Sequence, residues 1–350
     1  MFEVKIWELG IEISDENGTN YMGSKIREAG IIVMLSLASL LCGCEDYQLT
    51  PITHWTKLGI FPGIARASAS SFVVGEKGYV CLGRSGWKMG FLKDVWEFEP
   101  KTDTWTRKAD FPGAARVKAI AGVIGNMAYV GLGSVAPYDG NQFSDLWEYD
   151  NTTDTWKQMA SFPGDAKNDL FCAVVDSCLY TTEGFAATIF TPYTYKFSPK
   201  TNSWTQLKDC PVSRSSTAGF SIGTNVYVGS GYYTANYKDF YCYHTTTNTW
   251  DRMADLPDAR ILSKGISING KGYVLLGRYW NGSLNGGRLL KDVVEYTPST
   301  NSWSRCGDFP GDARQNMVVF TIAGKGYVVG GEDDAERKGD AWVFETTPNP

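Results

Sequence analysis

The chain repeats one pattern of hydrophobic and polar positions about every fifty residues. Each repeat holds an apolar run, a second run that carries a tyrosine and ends in glycine, a run of aromatic residues alternating with polar ones, and a tryptophan. Alternation with period two and a high content of β-branched and aromatic residues are typical of strands bounded by turns. The pattern therefore predicts four short strands per repeat, named a to d in chain order. In the first repeat these are residues 71–74, 78–82 and 95–98, and a d strand that starts at Trp105.

Six tryptophans mark the repeat and lie 46 to 53 residues apart: Trp55, Trp105, Trp156, Trp204, Trp250 and Trp303. A proline follows each tryptophan after seven residues, a basic residue after ten or eleven, and a tyrosine after 23 or 24. Most of the length variation falls between that tyrosine and the aromatic residues of strand c. A unit of about fifty residues with four strands is typical of a β-propeller blade.

The repeat resembles the kelch family in three short motifs. The first copy reads PGIAR at 62–66, GYVCLG at 78–83 and DVWEFEPKTDTW at 94–105. The resemblance implies an all-β fold, a six-bladed kelch β-propeller over residues 54–346. The chain enters on a d strand at Trp55 and leaves after a c strand at 341–345, so we expect the N-terminal d strand to complete the last blade. Closure of the ring removes open sheet edges, which would otherwise template aggregation.

The segment before the repeats is expected to serve export. Residues 1–21 are acidic and are either an extension or the result of a start codon assigned too early, with Met22 as the true start. Residues 22–44 have the pattern of a signal peptide, because Lys25 and Arg27 precede a twelve-residue apolar stretch. That stretch is shorter than the ~20 residues needed to span a bilayer. It ends in LCGC, which resembles a bacterial lipobox with Cys44 as the lipidated residue.

Lipidation at Cys44 predicts a protein anchored to the membrane of a Gram-negative cell envelope by acyl chains alone, on either side of the outer membrane. Residues 45–53 would then form a short tether, and residues 347–350 a tail. This arrangement resembles the kelch lipoproteins of Bacteroidetes. The alternative is ordinary signal-peptide cleavage to a soluble exported protein.

Composition argues against several classes of function. The full chain has 33 basic and 38 acidic residues and a net charge of −5. Removal of residues 1–44 takes away three basic and six acidic residues and leaves a net charge of −2. A chain of this charge lacks the basic surface that is typical of nucleic-acid-binding proteins. The propeller cysteines lack a CxxC pair, and no zinc motif, phosphate loop or nucleophile elbow occurs. We expect a monomer without metal or cofactor, whose cysteines are buried small side chains or form one disulfide.

Strand direction predicts which face of the propeller binds a ligand. Because strands alternate in direction, the d–a and b–c loops emerge on one face, and the b–c loops vary as binding loops on a rigid scaffold do. The b–c loops contribute six candidate ligand-binding residues: Arg84, Trp87, Tyr138, Tyr232, Arg278 and Trp280. The d–a loops add the basic position of each repeat, expected around the mouth of the central channel. Lys167 occupies it in the third unit, and arginine elsewhere: Arg66, Arg116, Arg214, Arg260 and Arg314.

These arginines have two possible roles. A guanidinium group can bind a carboxylate through two parallel hydrogen bonds, which suits an acidic ligand. The structural alternative is that the arginines tie neighbouring blades together through a carboxylate or a carbonyl group.

The residues favour a non-catalytic module that recognises a glycan or a protein on the arginine-bearing face. One alternative is enzymatic. Blade number and export signal resemble those of the bacterial sialic acid mutarotases (N-acetylneuraminate epimerases), which implies Glu183 and Glu332 as acid–base groups near an anchored carboxylate. A third possibility is an inert scaffold. The kelch family also includes a copper enzyme, galactose oxidase, that uses two tyrosines and two histidines. Here the histidines are only His54 and His244, both expected towards the rim, so copper chemistry is not expected.

Overall fold

The computed structural model describes residues 52–86, 90–135, 141–186, 188–282 and 286–346. These residues form 28 β-strands and no α-helix. The predicted extension, the signal peptide with Cys44, most of the tether and the C-terminal tail lie outside the described residues, as do Trp87 and Tyr138. Within the described ranges, no helix is long and apolar enough to cross a membrane.

Six four-stranded antiparallel sheets form six blades, which confirms the predicted fold. In the order a, b, c and d, blade 1 comprises β2 (Ser70–Val74), β3 (Lys77–Cys81), β4 (Val95–Glu99) and β5 (Thr104–Lys108). Blade 2 comprises β6 (Ile120–Ile124), β7 (Met127–Gly131), β8 (Leu146–Asp150) and β9 (Thr155–Met159). Blade 3 comprises β10 (Phe171–Val175), β11 (Cys178–Thr182), β14 (Tyr195–Ser198) and β15 (Ser203–Gln206).

Blades 4 to 6 follow the same order. Blade 4 comprises β16 (Ala218–Ile222), β17 (Asn225–Gly229), β18 (Phe240–His244) and β19 (Thr249–Met253). Blade 5 comprises β20 (Lys264–Ile268), β21 (Lys271–Leu275), β24 (Asp292–Thr297) and β25 (Ser302–Asp308). Blade 6 comprises β26 (Val318–Ile322), β27 (Lys325–Val329), β28 (Ala341–Thr346) and β1 (Ile52–Lys57). The b–c loops of blades 3 and 5 each carry a short extra hairpin, formed by β12 (Phe185–Ala186) with β13 (Ile189–Phe190), and β22 (Arg278–Tyr279) with β23 (Arg288–Leu289).

The ring closes through the N-terminal strand. β1 pairs antiparallel with β28, so that Trp55 lies opposite Phe344 and Lys57 opposite Trp342. Blade 6 therefore combines one strand from the start of the propeller with three from its end, as the sequence predicts.

One apolar cluster fills each of the six interfaces between neighbouring blades. The d-strand tryptophans pack against these clusters: the ring centroid of Trp105 lies 4.7 Å from that of Phe98 in its own blade and 4.9 Å from that of Phe61 in the preceding loop. Truncation of such a tryptophan to alanine would destabilise the fold by about 3–5 kcal/mol. No disulfide joins the six cysteines of the described residues.

The c–d turns also join neighbouring blades. Asp154, in the left-handed region at φ 54°, accepts the backbone N–H of Ala109 from the preceding blade at 3.0 Å. Asp and Asn adopt this conformation more readily than most residues. The same position in four other blades accepts an equivalent hydrogen bond through Asp103, Asn202, Asn248 and Asn301. The c–d turns therefore stabilise the contacts between neighbouring blades.

Candidate functional site

The five predicted d–a loop arginines form buried ion pairs. Arg66 Nη1 and Nη2 donate to Asp94 Oδ1 and Oδ2 at 2.7 and 2.6 Å, and Nη1 also donates to the carbonyl of Leu82 at 3.0 Å. The carbonyl of Arg66 accepts the N–H of Gly331 from the preceding blade at 2.9 Å. The same arrangement recurs at Arg116, Arg214, Arg260 and Arg314, whose partners are Asp145, Asp239, Asp292 and Asp340.

This geometry matches the structural alternative for these arginines. These residues are only 0–3% exposed, and their side-chain N–H groups donate to buried acceptors. A ligand could therefore reach them only by breaking the ion pair. Each pair joins the loop before strand a to the start of strand c in one blade, while the arginine carbonyl holds the preceding blade. The candidate site is therefore formed by residues other than these arginines.

Blade 3 lacks this ion pair. Lys167 stands in the arginine position, and Tyr193 stands where the other blades have aspartate. Within the described residues, Lys167 Nζ is buried without a hydrogen-bond acceptor and lies 4.8 Å from the ring centroid of Tyr193. Burial lowers the pKa of Lys167 to about 8, although nearby carboxylates oppose the shift. Contacts with aromatic rings thus replace the ion pair in this blade.

Six equivalent residues, one from each b–c loop, surround the channel entrance and are called the mouth ring. Each forms an antiparallel bridge with the residue after the basic position of its own blade. The mouth ring comprises Arg84, Ser134, Phe185, Tyr232, Arg278 and Glu332. Three of the predicted ligand-binding residues therefore meet here, together with one of the two predicted acid–base residues.

The mouth ring is charged on the side of blades 5, 6 and 1. Arg84 Nη2 donates to Glu332 Oε1 and Oε2 at 2.8 and 3.0 Å, and Arg337 Nε lies 3.5 Å from Glu332 Oε2. Arg278 pairs with Asp334 and donates through Nε to Gln315 Oε1 at 3.1 Å. Three arginines thus cluster with two carboxylates among the described residues on this side of the mouth.

The adjoining side of the mouth, formed by blades 3 to 5, is aromatic. The ring centroid of Phe190 lies 5.1 Å from that of Phe185, 6.0 Å from Tyr232 and 5.2 Å from Tyr233. Tyr232 in turn lies 5.2 Å from Trp280. The predicted residues Tyr232 and Trp280 therefore belong to one aromatic cluster, which can present flat apolar surface to a ligand.

Below the mouth ring lies a second ring of six residues, called the inner belt. Its members all have φ between 54° and 58° and are Ser68, Lys118, Asp169, Ser216, Leu262 and Asn316. Backbone hydrogen bonds link successive members: Ser68 N–H donates to the Asn316 carbonyl at 2.9 Å, and Lys118 N–H to the Ser68 carbonyl at 3.0 Å. The left-handed conformation is unfavourable for most of these residue types, and such strain is concentrated at functional sites.

The inner belt carries a cluster of charged side chains from three blades. Asp169 Oδ2 accepts Lys118 Nζ at 2.6 Å and the Ser216 hydroxyl at 2.6 Å. Burial alone would raise the pKa of Asp169, but Lys118, Ser216 and Lys264 outweigh it, so this pKa lies below its ordinary value. Burial lowers the pKa of Lys264, an effect that Asp169 opposes and Lys118 reinforces. The Asp169 carboxylate is therefore ionised between two lysines.

A cavity of about 150 Å³ occupies the central channel. The first strands of all six blades contribute to its walls. Small and apolar side chains dominate the lining, and Lys264 is the one charged side chain among the described residues that form it.

The two predicted acid–base residues are both enclosed, each 1% exposed. Glu332 Oε1 also accepts Asn316 Nδ2 at 2.8 Å. Glu183 stands where blades 1, 2 and 5 have a buried leucine, and its Oε1 accepts the Cys210 thiol at 3.8 Å. Burial raises the pKa of Glu183 to about 8, although Arg214 opposes the shift. Glu183 is therefore largely protonated at neutral pH and lies apart from the mouth ring contacts.

Lys118, Asp169 and Lys264 were not among the site residues expected from the sequence. Their repeat position could have indicated them. Lys118 and Asp169 stand two residues after the basic position, where the other blades have uncharged residues. Lys264 stands four residues after the basic position, where the other blades have small or apolar residues. The predicted residues Trp87 and Tyr138 lie outside the described residues, so the structure does not locate them.

Comparisons with known proteins agree on the architecture. No protein-family model matches the chain. An N-acetylneuraminate epimerase of Haemophilus influenzae (strain 86-028NP) is 27% identical over 180 residues, which is 50% of this chain and 43% of that protein. An N-acetylneuraminate epimerase of Pasteurella multocida (strain Pm70) is 28% identical over 185 residues, which is 51% and 44% of the two chains. The matched segment thus spans less than half the length of these relatives.

Among solved structures, one titled "Structure of YjhT" shares the fold with a TM-score of 0.72 at 17% sequence identity. The match covers 83% of this chain and 98% of that chain. The chain is therefore a six-bladed β-propeller with YjhT as a structural neighbour and with distant homologues among proteins named N-acetylneuraminate epimerases.

Proposed function

We propose that this protein binds an acidic sugar of the N-acetylneuraminate class at the mouth ring and interconverts its two anomers. The observation that carries the proposal is the cluster of three arginines, Arg84, Arg278 and Arg337, at the mouth of a chain of negative net charge. A sugar carboxylate would bind guanidinium groups of this cluster through charge-assisted hydrogen bonds. The names of the relatives support the same class of substrate.

The aromatic cluster supplies the second half of the binding site. Trp280 follows Arg278 in the b–c loop of blade 5 and packs against Tyr232 of blade 4, so a sugar whose carboxylate meets the arginines would place its ring beside them. Aromatic faces combine apolar area with a polar edge, which suits the mixed surface of a sugar.

Interconversion of anomers needs proton transfers and no cofactor. The anomeric hydroxyl loses its proton, the bond between the anomeric carbon and the ring oxygen breaks, the ring oxygen gains a proton, and a carbonyl group forms. Closure on the other face of the carbonyl reverses each transfer. We assign Asp169 as the base and Lys118 as the acid, because their side chains are 11% and 18% exposed, whereas Glu183 and Glu332 are enclosed.

A second candidate function is recognition of a glycan or a protein without turnover. It is favoured by the large apolar side chains exposed around the mouth, Ile189, Tyr233 and Tyr279. Exposed apolar groups beside a polar site are typical of interaction surfaces. Anchoring at Cys44 would hold either activity in the cell envelope and stays a separate prediction.

The direct test follows the anomers of N-acetylneuraminate by proton NMR. A sialidase releases the α anomer from an α-sialoside, and its conversion to the β anomer is recorded with and without catalytic amounts of the protein. The proposal predicts faster conversion than with heat-unfolded protein. Binding without faster conversion would support the recognition function instead. If neither binding nor faster conversion occurs, the assignment of this sugar class is wrong.

A further inference from the structure

The cavity in the central channel contains one lysine without a matching anion. Lys264 lines the cavity at the start of β20. Among the described residues it takes part in no ion pair within 4.0 Å, and its electrostatic partners are Asp169 and Lys118. A buried or half-buried ammonium group without an anion is unfavourable, because burial removes its hydration.

The carboxylate that interacts electrostatically with Lys264 already accepts hydrogen bonds from other groups. Asp169 Oδ2 is bound by Lys118 Nζ and by the Ser216 hydroxyl, both at 2.6 Å. Two lysines and one aspartate leave the cluster one negative charge short. Glu332, which reaches the inner belt through Asn316, cannot supply it, because Arg84 and Arg337 already match its charge.

We propose that the channel cavity binds a small monovalent anion, of halide or short carboxylate size, against Lys264. The cavity volume of about 150 Å³ sets the size limit. It corresponds to about five water molecules at their share of liquid volume, which accommodates chloride or formate and excludes a whole acidic sugar. The site is therefore distinct from the mouth ring and does not depend on the function proposed above.

The anion would lie where the first strands of all six blades meet. Lys264 belongs to blade 5, and the other walls of the cavity come from the remaining five blades. An ion that binds only the folded ring stabilises it by mass action. The anion would therefore stabilise the packing of the first strands of different blades around the channel.

The experiment measures thermal unfolding in sodium gluconate and in sodium chloride or sodium formate at equal ionic strength. Gluconate is a monovalent anion too large for the cavity, so it controls for screening. In the wild type, the midpoint of unfolding should rise by about 5 °C when chloride or formate reaches 100 times its dissociation constant. The Lys264→Met variant should show no such rise. Lys291→Met, which removes an exposed lysine from the same blade, should behave like the wild type.

Three results would overturn the proposal. One is an equal rise in Lys264→Met, which would indicate a general salt effect. Another is strong destabilisation of Lys264→Met in gluconate, because loss of an unmatched buried charge should leave stability unchanged or improved. The third is a rise that depends on Lys264 with N-acetylneuraminate but not with chloride or formate, which would assign the lysine to the sugar site.

Discussion

Arg84 of blade 1 and Glu332 of blade 6 meet across the interface at which the propeller ring closes. Arg84 Nη2 lies 2.8 Å from Glu332 Oε1 and 3.0 Å from Oε2. This contact requires that blade 6 be complete, and blade 6 is completed by β1 pairing with β28. The charged side of the mouth ring therefore forms only when the N-terminal strand closes the ring.

Arg84→Gln should weaken binding of N-acetylneuraminate about 10- to 100-fold, because a hydrogen bond to a charged group contributes about 1.5–3 kcal/mol. It should also lower stability, since Glu332 is 1% exposed and would lose its main partner. Titration calorimetry measures the affinity, and thermal unfolding measures the stability.

The double variant Arg84→Gln/Glu332→Gln separates these two effects. Neutral amides can keep a hydrogen bond at this position without a buried charge, so stability should recover while binding stays weak. Wild-type affinity in the double variant would show that Arg84 does not contact the sugar.

The buried arginine–aspartate pairs predict a different response. Arg116→Met leaves the Asp145 carboxylate without the two hydrogen bonds that Arg116 donates to it at 2.5 and 2.9 Å. The loss should be about 3–5 kcal/mol of unfolding free energy, and Arg116→Met/Asp145→Leu should recover part of it. Denaturant titration checks both values. Unchanged stability with loss of sugar binding would instead give this arginine the ligand-binding role.

Glu183 predicts a pH dependence of stability. Its folded-state pKa of about 8 is raised from an ordinary value of 4.5, so the folded protein keeps a proton that the unfolded chain loses between these values. Stability should therefore fall as pH rises through this interval, by about 1.4 kcal/mol per pH unit from this group. Glu183→Gln removes the effect, so its advantage over the wild type should grow from pH 5 to pH 8. A constant difference across this range would contradict the buried, protonated state.

The aromatic cluster predicts a smaller effect on binding than the arginines. Tyr233→Ala removes a ring that is 49% exposed and packs against Phe190. Affinity for N-acetylneuraminate should fall about 2- to 10-fold, in line with the contribution of aromatic contacts. Ile60→Ala, at a more exposed apolar residue outside this cluster, is the matched control and should leave affinity unchanged. Equal effects of both substitutions would remove the cluster from the site.

The fold could be predicted because each blade repeats the same spacing. Six copies of one pattern constrain strand number, strand order and the pairing of Trp55 with the last blade, and each of these is a local or repeated feature. Backbone periodicity determines them with little dependence on any single side-chain contact.

The partners of individual side chains were harder to predict. The role of the d–a loop arginines depends on an aspartate 25 to 32 residues later, at the start of strand c. One signal was present in the repeat itself: the unit that has Lys167 instead of arginine also has Tyr193 instead of aspartate. The charged cluster of the inner belt unites residues from three blades, and no linear spacing brings Lys118, Asp169 and Lys264 together.

The most direct measurement is a crystal structure of the protein with N-acetylneuraminate. We expect the sugar at the mouth ring, with its carboxylate at Arg84, Arg278 or Arg337 and its ring beside Tyr232 and Trp280. A sugar bound on the face of the c–d turns, or no bound sugar at saturating concentration, would contradict this expectation.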